Sequence, residues 1–328
     1  MGIRIALNGF GRIGRAVVRN LSDEFELVAI NDIMDTKMMA YLLRFDSVHG
    51  TFAKEVEYID EQRLKIGNQE VAISHHADPK NIDFLGADVV IEATGRFLSF
   101  KLAGSHLKSA KKVILSAPAI DDTPTFVYGV NHHAYRGQNF ISNASCTTNC
   151  LAPVAKLLDE KYGIQKGLMT TIHSYTIDQN LLDSDHKREM RRSRSAAINI
   201  IPTTTGAARA IFKVLPNLKG KLDGRSVRVP VADVSLMDLD VVLDKPCTKE
   251  EVVELFKEAS QKQMQGVLFV DEEYRVSQDF LGSSYSSIVA ADLVQVVDGN
   301  LLKIMSWYDN EWGYANRLLD MAKFISKE

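Results

Sequence analysis

Apolar positions fall into two rhythms along the chain. In the first 145 residues, short buried-type runs alternate with helical periodicity. Ile3-Arg4-Ile5-Ala6-Leu7 predicts a strand, Ala16–Leu21 a helix, Leu27–Ile30 a second strand and Thr36–Leu43 a short helix. Val56–Ile59, Arg63–Ile66 and Glu70–Ser74 predict short antiparallel strands bounded by turn residues. Ala87–Glu92 and Lys112–Leu115 predict two more strands, each ending in a small polar turn. Such alternation is the pattern of an α/β doubly wound parallel sheet, whose strand ends line a crevice.

The rhythm then changes. Leu151–Leu158 predicts a buried helix and Gly167–Tyr175 a long strand. Strands Val234–Leu243, Ser286–Val289, Asp292–Val297 and Leu301–Trp307, with a helix over Lys249–Gln261, predict an α+β unit with a mostly antiparallel sheet. Asp309-Asn310-Glu311 caps a final amphipathic helix running through Ile325. With 328 residues, a prior of about 150 residues per domain suggests two domains, divided at 1–145 and 146–310.

Composition narrows the class. The chain is 45% hydrophobic and 25% charged with a formal net charge of −3, which gives no general attraction to nucleic acid or membrane. Three cysteines without framework spacing point to a reducing, cytoplasmic setting. The N-terminus lacks the features of a signal peptide, and Ala6 stands where a myristoylation motif needs Ser or Thr. No apolar run approaches the roughly 20 residues of a membrane span.

Candidate chemistry begins at the first turn. Gly9, Gly11 and Gly14 form a G-x-G-x-x-G between strand and helix, the spacing of a Rossmann nucleotide-binding turn. The second strand ends at Asp32, placed to accept from an adenosine ribose hydroxyl. A carboxylate there disfavours a 2′-phosphate, so the pattern favours NAD over NADP. The second site gathers at Ser142-Asn143-Ala144-Ser145-Cys146, ahead of the buried helix. There Cys146 is either an ordinary core or redox cysteine or a nucleophile whose thiolate is favoured by the helix N-terminus. Cys150, a turn deeper, reads as a packed thiol. His173 ends a strand and is either structural or the base of a Cys–His pair. The adjacent pairs His75-His76 and His132-His133 lack ligand spacing, so no metal site is expected.

Residues 176–200 form a long polar segment carrying Lys187, Arg188, Arg191, Arg192 and Arg194. It is open to three readings: a solvated face, an RNA-binding loop, or an anion site with a subunit contact. Thr203-Thr204-Thr205-Gly206-Ala207-Ala208 opens a helix and offers hydroxyls and N–H groups to a phosphate. Arg228, among apolar neighbours, calls for an anionic partner.

These stretches together resemble phosphorylating glyceraldehyde-3-phosphate dehydrogenases along essentially the whole chain. The resemblance is carried by Asn8–Arg15, Ser142–Cys150, His173-Ser174-Tyr175-Thr176, Pro202–Ala208 and Trp307-Tyr308-Asp309-Asn310-Glu311. It implies a Cys146 nucleophile and a His173 base acting on glyceraldehyde 3-phosphate. It implies substrate-phosphate contacts at Thr176, Asp178 and Arg228, and an attacking-phosphate site at Ser145, Thr147, Arg192, Thr205 and Gly206. Cofactor contacts are implied at Gly9, Phe10, Gly11, Arg12, Ile13, Gly14, Asp32, Thr94, Gly95, Ser116, Asn310 and Tyr314, with Asn310 on the nicotinamide carboxamide. It further implies NAD as cofactor, inorganic phosphate as second substrate, a homotetramer, and a C-terminal helix, 311–328, packed back on the first domain.

The sequence departs from the family pattern in four places. Ile177 replaces the usual Asn, and Ser184-Asp185 replaces a Leu-Pro pair near the adenosine site in NAD-specific members. Around Arg188-Glu189-Met190 the loop is one residue longer. Ala77 stands before Asp78-Pro79 in place of an Arg, with His76 beside it, so altered nucleotide affinity is expected. An erythrose-4-phosphate dehydrogenase is the enzymatic alternative. Retention of Tyr175-Thr176 and the Thr-Thr-Gly-Ala-Ala run favours the triose substrate. An RNA-binding protein on a dehydrogenase scaffold is the alternative of another class.

Overall fold

The computed structural model describes residues 2–186 and 189–328. Lys187 and Arg188 of the basic segment therefore lie outside the described residues. Two compact units separate: residues up to Phe126 with His132–Ala144 and Ala315–Glu328, and Val127–Asn131 with Ser145–Tyr314.

The first unit opens with β1 (Ile3–Asn8), α1 (Arg12–Arg19), β2 (Phe25–Asn31) and α2 (Thr36–Arg44), then the small hairpin β3 (Phe45–Asp46) and β4 (Gly50–Thr51). Strands β5 (Val56–Asp60), β6 (Arg63–Ile66), β7 (Gln69–Ser74) and β8 (Ala87–Glu92) follow, then α3 (Phe100–Ala103), β9 (Ala110–Leu115) and β10 (Phe140–Ser142). The sheet order is β10-β9-β8-β1-β2-β7-β6-β5. From β10 to β7 every neighbouring pair is parallel, and β6 and β5 add an antiparallel edge. Apolar residues at alternate positions, among them Ala6, Val90, Val113 and Phe140, bury together with Phe84 and Ala103 on one side of this sheet. Because β1 pairs with β2 on one side and β8 on the other, the strand order reverses at β1. Ligand crevices form at such a switch point.

The first helix begins at Arg12, earlier than the apolar pattern indicates, and contains Gly14. Glycine lowers helix propensity, but close packing demands it here. A Cβ on Gly14 would lie 2.2 Å from the Gly9 carbonyl oxygen.

The second unit contains α4 (Cys146–Tyr162), β11 (Ile164–Ser174), β12 (Ile201–Thr203), α5 (Ala207–Val214), β13 (Leu222–Val229), β14 (Ser235–Leu243) and α6 (Lys249–Gln261). It continues through β15 (Leu268–Asp271), β16 (Ser287–Ala290), β17 (Gln295–Val297) and β18 (Leu301–Tyr308) into α7 (Trp312–Ser326). Its sheet runs β12-β13-β11-β14-β18-β16-β15, with β17 on β18. Most pairs are antiparallel, but β11 with β13 and β15 with β16 are parallel. The strand expected over Asp292–Val297 shrinks to Gln295–Val297, because Ala291–Leu293 coils into a 3₁₀ turn. The helix predicted over Leu151–Leu158 starts earlier, at Cys146, so that Thr147-Thr148-Asn149 lies inside α4. Among the described residues no helix is long and apolar enough to cross a membrane.

Within the first unit, the last turns of α7 return to the sheet. Lys112 Nζ donates to the Ile325 carbonyl, and Lys323 Nζ donates to Glu24 Oε2 at 2.6 Å.

Candidate active site

Cys146 is the first helical residue of α4. Ser145 precedes it in extended conformation, and its hydroxyl accepts the Thr148 N–H at 3.1 Å, so the cap holds the helix start in place. One residue earlier, Ala144 adopts φ +57°, a left-handed conformation that costs a non-glycine residue of order 1 kcal/mol or more. His173 comes from β11, and its Nε2 lies 3.7 Å from Cys146 Sγ. The parallel register of β11 with β13 sets His173 directly against Arg228. Arg228 Nη1 lies 2.8 Å from His173 Nδ1 and donates to the Ser174 carbonyl at 2.9 Å. That carbonyl also stands 2.8 Å from Nδ1.

Burial and neighbouring charge act on this pair together. A thiol at a helix N-terminus is expected to ionise easily, yet burial pushes the Cys146 thiol up, with Arg228 pulling against it. Burial, then the Arg228 and Arg192 guanidiniums, lower His173 to about 3. Near neutral pH the imidazole is therefore uncharged. An uncharged imidazole at this distance can take a proton from a hydroxyl formed on the Cys146-bound carbon.

The site has a floor that the sequence motifs did not single out. The Tyr308 hydroxyl is buried between Thr147 Oγ1 at 2.9 Å and Thr171 Oγ1 at 2.7 Å, and its ring meets His173 edge to face. Tyr308 stood within a quoted motif, but no periodicity told that its strand crosses beneath the nucleophile. Thr147, expected to touch phosphate, thus turns its hydroxyl inward to Tyr308.

The phosphate candidates gather on one side of this unit. Arg192 donates to the Asp178 carboxylate, to Glu189 Oε2 at 3.1 Å and to the Thr204 carbonyl at 3.3 Å. Arg192 and Asp178 both act electrostatically on Arg228. A cavity of about 360 Å³ is lined by Asp178, Glu189, Arg192, Thr204 and Gly206. Thr205 Oγ1 accepts the Ala207 N–H at the start of α5, and Thr176 is partly exposed. Asn310 is buried, and its Oδ1 accepts from Ser174 Oγ at 2.9 Å and Ser235 Oγ at 2.6 Å. What it can offer a ligand is its amide NH₂. Tyr314 is buried.

In the first unit, a cleft of about 240 Å³ opens at the switch point, lined by Asn8, Gly9, Gly11, Asp32, His76, Ala77 and Thr94 among others. Gly9 has φ +98°, and a Cβ there would strike the Thr94 backbone at 2.6 Å. At Gly11, by contrast, a Cβ would meet no protein atom within 4 Å. Gly11 is the N-cap of α1, so this open space lies at the helix N-terminus, whose positive dipole end favours an anion. That combination suits a pyrophosphate, and the residues present fit a dinucleotide. Asp32 accepts from the Phe10 N–H at 2.6 Å and the Met34 N–H at 2.9 Å, which fixes its carboxylate at the cleft edge. Arg12 is paired with Asp46, and Ile13 follows it in the first turn of α1. Gly95 turns with φ +67° after Thr94, and Ser116 is partly buried at the end of β9.

Beneath the cleft runs a buried network without a sequence signature. His106 Nε2 is 2.9 Å from Glu92 Oε2, and Glu92 also accepts from Asn8 Nδ2 at 2.6 Å and from the Thr94 N–H at 2.9 Å. Asn31 Nδ2 then donates to Asn8 Oδ1 at 2.8 Å and to the His76 carbonyl at 3.0 Å. Glu92 carried the only hint: a charge closing an apolar strand needs a partner.

Comparison with known proteins agrees with this division of labour. Residues 3–100 match the family model "Glyceraldehyde 3-phosphate dehydrogenase, NAD binding domain", and residues 145–310 match "Glyceraldehyde 3-phosphate dehydrogenase, C-terminal domain". The chain is 48% identical over 331 residues to a glyceraldehyde-3-phosphate dehydrogenase of Bacteroides fragilis, covering 99% of each chain. It is 50% identical over 332 residues to glyceraldehyde-3-phosphate dehydrogenase 1 of Bacillus cereus, again with 99% of each covered. With the Geobacillus stearothermophilus enzyme of the same name it shares 47% over 335 residues, covering 100% of this chain and 99% of that one. A nucleotide cleft at a strand-order reversal, a cysteine–histidine pair at a helix start and full-length likeness converge: the chain belongs to the glyceraldehyde-3-phosphate dehydrogenase family.

Proposed function

We propose that the chain oxidises glyceraldehyde 3-phosphate and captures inorganic phosphate, giving 1,3-bisphosphoglycerate. The observation that carries this reading is the 3.7 Å approach of His173 Nε2 to Cys146 Sγ, with two arginines within electrostatic reach. Cys146 sulfur bonds to the aldehyde carbon, and the resulting thiohemiacetal hydroxyl passes its proton to the uncharged His173. The Gly9–Gly14 turn and Asp32 would hold NAD, which would take the hydride as the carbon–hydrogen bond of that same carbon breaks, leaving the Cys146 thioester. The Cys146 N–H at the helix start and the protonated His173 steady the oxyanion. A phosphate oxygen then attacks the thioester carbon, the carbon–sulfur bond breaks and Cys146 is regenerated.

Arg228, with Thr176 and Asp178, takes the substrate phosphate in this reading. Arg192, Thr205 and Gly206, with the backbone at Ser145 and Thr147, take the attacking phosphate. The first unit, joined by the C-terminal helix, serves the nucleotide, and the second serves the chemistry. The setting is cytoplasmic and the working form a homotetramer. Exposure of Ile177, Leu181, Leu182, Met190, Ile198 and Ile200 supports subunit contact through residues 176–200.

The test follows NADH formation by near-ultraviolet absorbance, with and without phosphate, for NAD and NADP in parallel. Phosphate-dependent NADH formation, abolished in Cys146→Ser, is expected. Turnover without phosphate, or only with erythrose 4-phosphate, overturns the reading.

A further inference from the structure

We infer that Glu189 is a resident competitor for the attacking phosphate and sets this chain's affinity for it; the inference rests on the function proposed above. Glu189 belongs to the loop that is one residue longer than in the family pattern. Its side chain is largely buried, at 21% exposure. One oxygen, Oε2, accepts from Arg192 Nε at 3.1 Å and lies 3.4 Å from Thr204 Oγ1. The other, Oε1, accepts from the Thr204 N–H at 3.3 Å. The carboxylate therefore bridges the Arg192 guanidinium and the turn leading into Thr205 and Gly206, the two sides between which a phosphate would sit. It lines the same 360 Å³ cavity.

Each nitrogen of Arg192 is engaged in this state, and the edge that a bidentate phosphate would take includes the Nε held by Glu189. Its Nε serves Glu189, its Nη1 serves Asp178 and its Nη2 serves the Thr204 carbonyl. An incoming phosphate needs the same donors in the same plane, so it must displace the Glu189 carboxylate. A tethered anion acts at an effective concentration in the millimolar range. Apparent affinity for phosphate then falls by the fraction of time that the site is open. Asp178 does not play this part, since its other oxygen faces His186 Nε2 at 3.5 Å and not the Thr204 turn.

The test compares the phosphate KM of the full-length wild type, Glu189→Gln and Glu189→Asp at saturating NAD and glyceraldehyde 3-phosphate, with melting curves to show that each variant is folded. Removing the charge is expected to lower the phosphate KM roughly three- to tenfold, the scale of a partly buried charge pair. Glu189→Asp keeps the anion and stays near the wild-type value. Glu189→Ser serves as a second neutral variant if the Gln variant does not fold. An unchanged or raised phosphate KM in a folded neutral variant overturns the inference, and identifies Glu189 as a support for Arg192. A fall shared equally by the glyceraldehyde 3-phosphate KM also overturns it, because a loosened loop would act on both. A wild type without phosphate-dependent NADH formation overturns the underlying function instead.

Discussion

His173 and Asp233 show how far burial moves a single side chain. His173 is held near 3 by desolvation and two guanidiniums, against about 6.5 in the unfolded chain. Between those values the unfolded state binds the extra proton, so stability is complete above about 6.5 and declines as pH falls toward 3. His173→Asn should flatten this acid limb by roughly 1.4 kcal/mol per pH unit, read from urea midpoints at about pH 6 and pH 4. Equal slopes in both proteins would show that the imidazole titrates freely. Asp233 shifts the other way. Burial and the neighbouring Asp309 and Glu311 carboxylates raise it to about 9. Here the native state holds the extra proton, so the stability contribution is complete below about 4 and is lost as pH rises through 9. Asp233→Asn should melt with a smaller alkaline loss than wild type between about pH 7 and pH 9. A parallel decline would refute the assignment.

At the scale of elements, the glycines of the β1–α1 turn separate folding from binding. Gly14→Ala drives a methyl into the Gly9 carbonyl at 2.2 Å, backbone against backbone. That should cost several kcal/mol, of order 3 as for other overpacked cores, and appear as a lower melting temperature. Gly11→Ala meets open space, and φ −70° suits alanine. Its melting temperature should stay within a degree or two of wild type, while the NAD KM rises about tenfold or more because a methyl fills the pyrophosphate's place. A destabilised Gly11→Ala with unchanged NAD KM would contradict the cleft assignment. The turn was legible because glycine spacing encodes it. The His106–Glu92–Asn8–Asn31 network was not, because its members are scattered over four separate segments and meet only once β1, β2 and β8 lie side by side.

For the whole molecule, the proposed tetramer places exposed apolar side chains of the 176–200 segment at subunit contacts. Leu181 is 74% and Ile198 80% exposed. Leu181→Asp with Ile198→Asp should shift sedimentation from four times the chain's mass to smaller species, since burying unpaired carboxylates in such a contact is costly. An unaltered assembly would place the contact elsewhere.

The amino-acid order determined the elements, the nucleotide turn, the Cys146 and His173 candidates and the family, because each is written in local spacing: period 2, period 3.6, or a glycine or small polar residue at a fixed offset. What only the tertiary structure decided is long-range. The parallel β11–β13 register set Arg228 against His173, adding its charge to the burial that lowers the base. The β14–β18 register carried Tyr308 beneath the nucleophile. The fold of a long loop laid Glu189 across Arg192. Strand register, burial and electrostatic neighbourhood depend on residues far apart in the chain, and no local pattern contains them.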